Sequence, residues 1–456
     1  MPARFGTDGV RGVANEELTA ELALALGRAT ARILPAPTFV VGRDTRRSGP
    51  LLQAAFSAGL ATEGADVVDL GVLPTPGVAT VAASRMAPGA VVSASHNPFG
   101  DNGIKLFSLF GTKLPVEVEA EIERELAAVL ADPGRAPARP TGLGVGRLSF
   151  DGAAAASLYT DSLVATLAGR RLDGVSVVVD CANGAGSALA PAVLRSVGAS
   201  VTVLHDAPDG ANINAACGST DPSELASVVV SSGSDLGLAL DGDADRVIAV
   251  DHTGEIVDGD VLLALFALDL AERDELTGNT VVVTVMTNLG FRLAMEARGI
   301  AVCETDVGDR HVLAALDADG LALGGEQSGH IIFRSQSTTG DGLLTGLALA
   351  DLMVRRGGSL ASLSAGLVER VPQRLVNVPV PRPERLADCA EVWEAVIAAE
   401  AELGHSGRVL LRPSGTEPFV RVMVEARAAE QADAVAAQLA GVVEAALGRS
   451  GAEAPG

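Results

Sequence analysis

The chain has 456 residues and a formal net charge of −23, with 57 acidic against 34 basic side chains, and lysine occurs only at Lys105 and Lys113. At ~150 residues per domain this length predicts about three domains, with four small ones also accommodated, and 48% hydrophobic residues suffice to fill their cores. The negative surplus repels nucleic-acid backbones and anionic membranes, so neither is expected as a partner.

No apolar run approaches the ~20 residues of a membrane-spanning helix, and the N-terminus has no apolar signal segment. The four cysteines, Cys181, Cys217, Cys303 and Cys389, have no paired spacing. They fit a reducing cytoplasm and argue against a disulfide framework or a structural zinc site.

Short Val/Ile/Leu runs alternate with turns and Ala/Leu-rich stretches, a strand–loop–helix rhythm that predicts α/β layers. Residues 38–41 read as a strand. Ser48 is expected to cap a helix over 50–61, and strands follow at 66–70, 90–93 and 104–107. A loop and helix run from Lys113 to residue 131. The Pro/Gly/Ala-rich stretch 132–146 predicts the first domain boundary. A second unit has strands at 175–180, 201–205 and 236–240, with a helix over 187–197. A third has helices from 261 and 290 and strands at 280–285 and 321–324. Alternating Val and Pro at 369–383 predict a linker into a small α+β unit reading strand, helix, strand, strand, helix. The resulting domains are 1–148, 149–252, 253–368 and 369–456, and the tail from residue 448 reads as disordered.

Four loops follow predicted strands, the position where α/β sheets place ligands. The first, Ser93-Ala94-Ser95-His96-Asn97-Pro98, presents a serine on a proline-forced turn. Lys105 lies on the next strand, where an ammonium has persisted in an arginine-rich chain. An ammonium can exchange a proton near neutral pH when its surroundings permit, and a guanidinium cannot.

The second loop, Asp241-Gly242-Asp243-Ala244-Asp245-Arg246, places three carboxylates at alternate positions. Clustered like charges call for a cation, and hard oxygens select Mg²⁺ or Ca²⁺. An EF-hand is excluded, because Arg246 replaces the turn glycine and His252 stands where the terminal Glu belongs.

The third loop, Gly324-Gly325-Glu326-Gln327-Ser328-Gly329-His330, offers donors and acceptors suited to sugar hydroxyls. The fourth, Arg412-Pro413-Ser414-Gly415-Thr416-Glu417-Pro418 with Arg421, combines hydroxyls, a glycine and two arginines, the parts of a phosphate cradle. A partial dinucleotide fingerprint at Gly184-Ala185-Gly186, with Asp206 beyond, has Leu189 in place of the third glycine and is read as a false match.

In order, these loops resemble the α-D-phosphohexomutase family over nearly the whole chain. The resemblance also rests on Phe5-Gly6-Thr7-Asp8-Gly9-Val10-Arg11-Gly12, on Val307-Gly308-Asp309-Arg310 and on Thr338-Thr339-Gly340-Asp341-Gly342. Ala244 stands where the family usually has glycine, and Pro413 where a lysine is common.

The resemblance implies three similar α/β domains with mixed sheets and a smaller C-terminal α+β domain around a central cleft. It implies that Ser95 is phosphorylated, that Mg²⁺ is held by Ser95, Asp241, Asp243 and Asp245, that Arg11, Lys105 and Arg246 gather around the reacting phosphate with Lys105 as general base or acid, and that His330 serves proton traffic or substrate contact. Glu326, Ser328 and Arg310 would contact the sugar, and Arg412, Ser414, Gly415, Thr416 and Arg421 the distal phosphate. The implied reaction interconverts glucosamine 6-phosphate and glucosamine 1-phosphate in the cytoplasm, on the route to UDP-N-acetylglucosamine. Glucosamine 1,6-bisphosphate would be the intermediate, with glucose 1,6-bisphosphate as an activator, and a homodimer is implied. Glucose or mannose phosphates as substrates, or a Mg²⁺-dependent sugar-phosphate phosphatase, are the alternatives.

Overall fold

Valine-rich runs pair through backbone hydrogen bonds into four separate sheets, each covered by helices whose apolar sides it buries. The structure, a computed structural model, describes residues 5–6, 9–132, 139–413 and 418–448. Ser414, Gly415, Thr416 and the tail beyond Gly448 lie outside these residues.

The chain condenses into two units, Met1–Thr284 with Ala301–Leu367, and Val285–Ile300 with Val368–Gly456.

The first unit contains three mixed sheets. In the seven-stranded sheet the order is Phe5–Gly6, Gly9–Val13, Asp101–Phe107, Gly89–Val92, Thr38–Arg43, Asp66–Val72 and Leu148–Phe150. The last three strands and Gly89–Val92 run parallel, and Asp101–Phe107 is antiparallel to its neighbours. The five-stranded sheet is centred on Leu236–Leu240, flanked by Val247–Asp251 and Ser176–Asp180, with Ile256–Val257 and Ser200–Leu204 at the edges. The four-stranded sheet runs Ala301–Thr305, Thr280–Thr284, Leu323–Gly325, Ile331–Phe333.

In the second unit, Gln373–Pro379, Phe419–Glu425 and Arg408–Pro413 form an antiparallel sheet with the middle strand last in sequence. Helices Ala390–Leu403 and Ala429–Leu447 complete the expected strand–helix–strand–strand–helix order. Helix Leu289–Glu296 joins this unit because of a buried carboxylate. Glu425 accepts from Asn288 Nδ2 at 2.9 Å, from the Leu289 N–H at 3.1 Å and from Arg408 Nε at 2.6 Å.

Two details depart from the sequence reading. Ser48 precedes helix Gly49–Thr62, but its hydroxyl makes no cap bond and donates to Asn102 Oδ1 instead. The apparent dinucleotide glycine Gly184 serves packing. A Cβ there would lie 2.3 Å from the Gly242 carbonyl oxygen, so glycine is needed for one loop backbone to rest on another.

Helices Ala20–Ile33 and Gly49–Thr62 cross at Gly27 and Gly59. A Cβ on Gly59 would stand 2.2 Å from the Leu24 carbonyl oxygen. Gly59→Ala should therefore destabilise, because overpacking of ~1–3 kcal/mol exceeds the ~1 kcal/mol gain in helix propensity. Gly441, exposed within helix Ala429–Leu447, has nothing within 4 Å of its added Cβ. Gly441→Ala should stabilise by roughly 0.5–1 kcal/mol. Thermal unfolding of the two variants checks the opposite signs.

Candidate active site

Strands Gly89–Val92 and Leu236–Leu240 are buried along their whole length, and each delivers a loop of polar residues at its C-terminal end. Ser95, buried at 1% exposure with a left-handed φ of 52°, donates its hydroxyl to Asp241 Oδ2 at 2.6 Å. Gly242 permits the approach of the two loops, since a Cβ there would lie 2.7 Å from the Ser95 carbonyl oxygen. Ala244, in the family's glycine position, takes φ 56°. An alanine carries roughly 1–2 kcal/mol of strain in that conformation.

Asp241, Asp243 and Asp245 are all buried and each offers an oxygen within 4.8 Å of the others. Burial, followed by the charges of Asp245 and Asp243, pushes the Asp241 carboxyl well above its ordinary range. Burial also opposes ionisation of Asp245, but Lys105, His330 and Arg246 outweigh it and hold that carboxyl well below the usual value.

Lys105, on strand Asp101–Phe107, donates to Asp243 Oδ2 at 2.8 Å and to Asp245 Oδ2 at 3.3 Å. Thr75 donates its hydroxyl to Asp243 Oδ2 at 2.6 Å. Asp243 Oδ1 and Asp245 Oδ1 are buried and accept no hydrogen bond. Buried carboxylate oxygens without hydrogen bonds are costly unless a cation stands near them. The cluster can thus bind a divalent metal ion, and its all-oxygen donor set fits Mg²⁺.

Beside this cluster lies a cavity of about 160 Å³ lined by Ser95, Lys105, Asp245, Arg246, Glu326 and His330 together with residues 307–309. His330 is buried. Its Nδ1 stands 3.6 Å from Asp245 Oδ1, while Nε2 accepts from the Gly340 N–H at 3.1 Å. Burial disfavours its charged form, yet Asp245, Asp309 and Glu326 together raise its pKa.

Glu326 accepts from the Gly308 N–H at 3.1 Å and from the Ser328 hydroxyl at 3.2 Å. Arg310 turns to Glu119, donating from Nη2 at 2.6 Å, and neither it nor Ser328 lines the cavity. Arg11 lies opposite Gly103 in the first sheet, on the face that also carries Lys105. In the other unit, Arg412 and Arg421 are directly opposed across neighbouring strands, and Arg421 Nε is buried without a hydrogen bond. Burial and the Arg421 charge lower the pKa of Arg412. Facing cations in a sheet are unfavourable unless an anion joins them.

The structure adds residues that the sequence reading missed. Arg46, at 2% exposure, is held by Asp44 at 2.9 Å. Its Nη2 donates to the carbonyls of Ser95 at 3.0 Å and Asn97 at 2.8 Å, and its Nη1 to that of Pro98. Asn214 Nδ2 reaches the same Ser95 and Asn97 carbonyls at 2.9 and 3.0 Å. Asp44 also accepts from Ser93 Oγ, which in turn accepts from the Ser95 N–H.

His96 is pushed down to about 4, by burial and then by the Arg246 charge, so it is neutral at pH 7. Its Nδ1 lies 3.0 Å from Arg246 Nη1 and 3.4 Å from Ser95 Oγ, placing Arg246 beside the serine. The signal for Asp44 and Arg46 was present: a run of charged residues directly follows the buried strand Thr38–Arg43.

Arg46→Lys keeps a charge but cannot span the three carbonyls of the serine loop. Amide exchange at Ser95 and Asn97 should accelerate at least about tenfold, equivalent to ~1.4 kcal/mol of local stability, with circular dichroism unchanged. Hydrogen-exchange mass spectrometry measures it.

Family models described as phosphoglucomutase/phosphomannomutase alpha/beta/alpha domains I, II and III match residues 2–131, 157–254 and 258–371, and the C-terminal domain model matches 375–442. The chain is 53% identical over 451 residues to the phosphoglucosamine mutase of Thermobifida fusca, covering 97% of this chain and 98% of that one. It is 54% identical over 460 residues to the phosphoglucosamine mutase of Frankia alni, covering 98% and 99%.

Among solved structures, a phosphoglucomutase/phosphomannomutase family protein from Burkholderia thailandensis aligns with TM-score 0.79 at 24% identity, over 98% of each chain. The N-acetylphosphoglucosamine mutase of Aspergillus fumigatus, solved with GlcNAc-6P and magnesium, aligns with TM-score 0.67 at 19% identity, over 97% of this chain and 96% of that one. At these identities the solved structures speak for the fold alone. With four family models matched in order along it, and relatives more than half identical across nearly its full length, the chain belongs to the phosphoglucomutase/phosphomannomutase family.

Proposed function

We propose that this protein interconverts glucosamine 6-phosphate and glucosamine 1-phosphate, with Ser95 as the phosphoryl carrier. The observation that carries the proposal is the 2.6 Å hydrogen bond from Ser95 Oγ to Asp241, inside a buried cluster of three aspartates flanked by Lys105. The choice of a 2-amino sugar is supported by the phosphoglucosamine mutases of Thermobifida fusca and Frankia alni.

Asp241, Asp243 and Asp245, with a phosphate oxygen on Ser95, would hold Mg²⁺. Bound there, Mg²⁺ supplies charge neutralisation for a phosphoryl group that otherwise faces three carboxylates, and withdraws electron density from phosphorus. The 1-hydroxyl of glucosamine 6-phosphate attacks the phosphorus of phosphoserine 95, the P–Oγ bond breaks, and glucosamine 1,6-bisphosphate forms. After the bisphosphate reorients, Ser95 Oγ attacks the 6-phosphate and glucosamine 1-phosphate leaves.

Each transfer moves one proton from the attacking hydroxyl to the departing oxygen. Lys105, engaged by two carboxylates, is suited to give a proton to departing Ser95 Oγ and to take it back in the second half. His330, with Nε2 occupied by the Gly340 N–H, orients Asp245 and borders the sugar. Arg246, held by His96, and Arg11 steady the phosphoryl oxygens. Glu326 contacts the sugar hydroxyls, and the opposed pair Arg412 and Arg421 binds phosphate.

Ser95→Ala should abolish turnover, by at least ~10³-fold, while leaving sugar-phosphate binding within a few-fold, because the serine carries the group without holding the sugar. Coupled assays and calorimetry measure the two, and full activity in the variant would refute the assignment. Intact mass should gain one phosphoryl group on incubation with glucose 1,6-bisphosphate, and that gain should vanish in Ser95→Ala.

Chelation should abolish activity and Mg²⁺ should restore it. Indifference to chelator would remove the aspartates from the mechanism. Among glucosamine, glucose and mannose 6-phosphates, the first should give the highest kcat/KM, without release of inorganic phosphate. Stoichiometric phosphate release would instead indicate a phosphatase.

A further inference from the structure

We propose that Asp180, His205 and Cys217 form a second metal site, which takes a borderline-soft divalent ion such as Zn²⁺ and braces the loop that carries Asn214. Asp180 ends strand Ser176–Asp180, His205 follows the adjacent strand Ser200–Leu204, and Cys217 precedes the turn Gly218–Thr220. One ligand atom from each lies within 4.8 Å of the others. The donor set of carboxylate oxygen, imidazole nitrogen and sulfur suits zinc rather than magnesium, so the site differs in kind from the three aspartates.

The local geometry asks for a cation. His205 Nε2 is 3.4 Å from Glu224 Oε2, and in the tautomer protonated on Nε2 the Nδ1 lone pair faces Asp180. Nδ1 is buried, makes no hydrogen bond, and stands 3.1 Å from Asp180 Oδ1. In that tautomer a cation between Nδ1 and Oδ1 would join two acceptors. Two ligands each ~2.0 Å from a tetrahedral ion lie roughly 3.3 Å apart, close to what is observed.

Asp180 is already oriented. Its Oδ1 accepts from the Ala182 N–H at 2.9 Å and its Oδ2 from the Gly218 N–H at 2.8 Å, with lone pairs left on both oxygens. Cys217 is fully buried, and burial, followed by the charge of Asp180, pushes its thiol up to about 12. An ion binding here forms the metal–sulfur bond as the thiol proton passes to solvent, which reverses that penalty. The half-buried His205 leaves an entry path. The site would act at a distance on the serine loop, because Asn214, three residues before Cys217, holds the Ser95 and Asn97 carbonyls.

The test uses the full-length protein, stripped with chelator, supplied with excess Mg²⁺ to saturate the all-oxygen site, and titrated with Co²⁺. One Co²⁺ per chain should bind with a sulfur-to-cobalt charge-transfer band in the near ultraviolet, and Zn²⁺ should displace it. The band should disappear in both Cys217→Ser and His205→Gln and persist in Asp241→Asn. Zn²⁺ should raise the Tm of the unmodified protein by a few degrees and leave that of Cys217→Ser unchanged. Absence of the band from the unmodified protein at stoichiometric Co²⁺ overturns the proposal without recourse to any variant. So does a band that survives Cys217→Ser or His205→Gln in protein shown by circular dichroism to be folded.

Discussion

Three carboxylates buried within 4.8 Å of one another are the constraint around which the first unit is built. Burying like charges is expensive, and a fold tolerates it only where counter-charge and hydrogen bonds are supplied from several directions. Lys105 comes from the seven-stranded sheet, Thr75 from the head of helix Thr75–Arg85, Arg246 from the same loop, and His330 from the four-stranded sheet. Three sheets therefore converge on one turn after Leu236–Leu240. Two carboxylate oxygens remain without hydrogen bonds even so, and the cluster can bind a divalent ion.

The serine loop depends on a second layer of buried polar residues. Ser95 and Ala244 both hold left-handed backbone conformations, and strain of that kind persists only where the surroundings over-determine it. Arg46 does so from one side by gathering three carbonyls of the loop, and Asn214 does so from the other. Asp44 in turn fixes Arg46. Removal of the guanidinium would take one donor each from the Ser95, Asn97 and Pro98 carbonyls and the counter-charge from buried Asp44, which is why Arg46 belongs to the support of the serine loop.

The second unit solves a smaller version of the same problem. Glu425, fully buried, is satisfied by Asn288, Arg408 and a backbone N–H, and so recruits a helix that lies more than a hundred residues earlier in the chain. Its opposed arginines, Arg412 and Arg421, are left as a concentrated positive patch in a chain of net charge −23. An acidic surface and a local cationic patch coexist because Coulomb interaction at contact distance depends on the few nearest charges and is screened beyond about 8–10 Å.

The sequence by itself determined the layers and the chemistry. Alternation of valine runs with Ala-rich stretches located strands such as 236–240 within a residue or two, since side-chain periodicity and β-branching act locally. Ser95, Lys105 and the three aspartates stood out because reactive residue types clustered just past predicted strands. Two lysines in the whole chain directed attention to Lys105.

Only the tertiary structure decided which groups meet. The Arg46 guanidinium reaches the serine loop across 49 to 52 residues of sequence, Arg310 turns to Glu119 outside the cavity, and Ser48 gives its hydroxyl to Asn102 instead of a helix cap. The glycine at 184 serves the neighbouring loop instead of a nucleotide. These outcomes are set by hydrogen bonds and close approaches between segments far apart in the chain, and no local pattern encodes the distance between them.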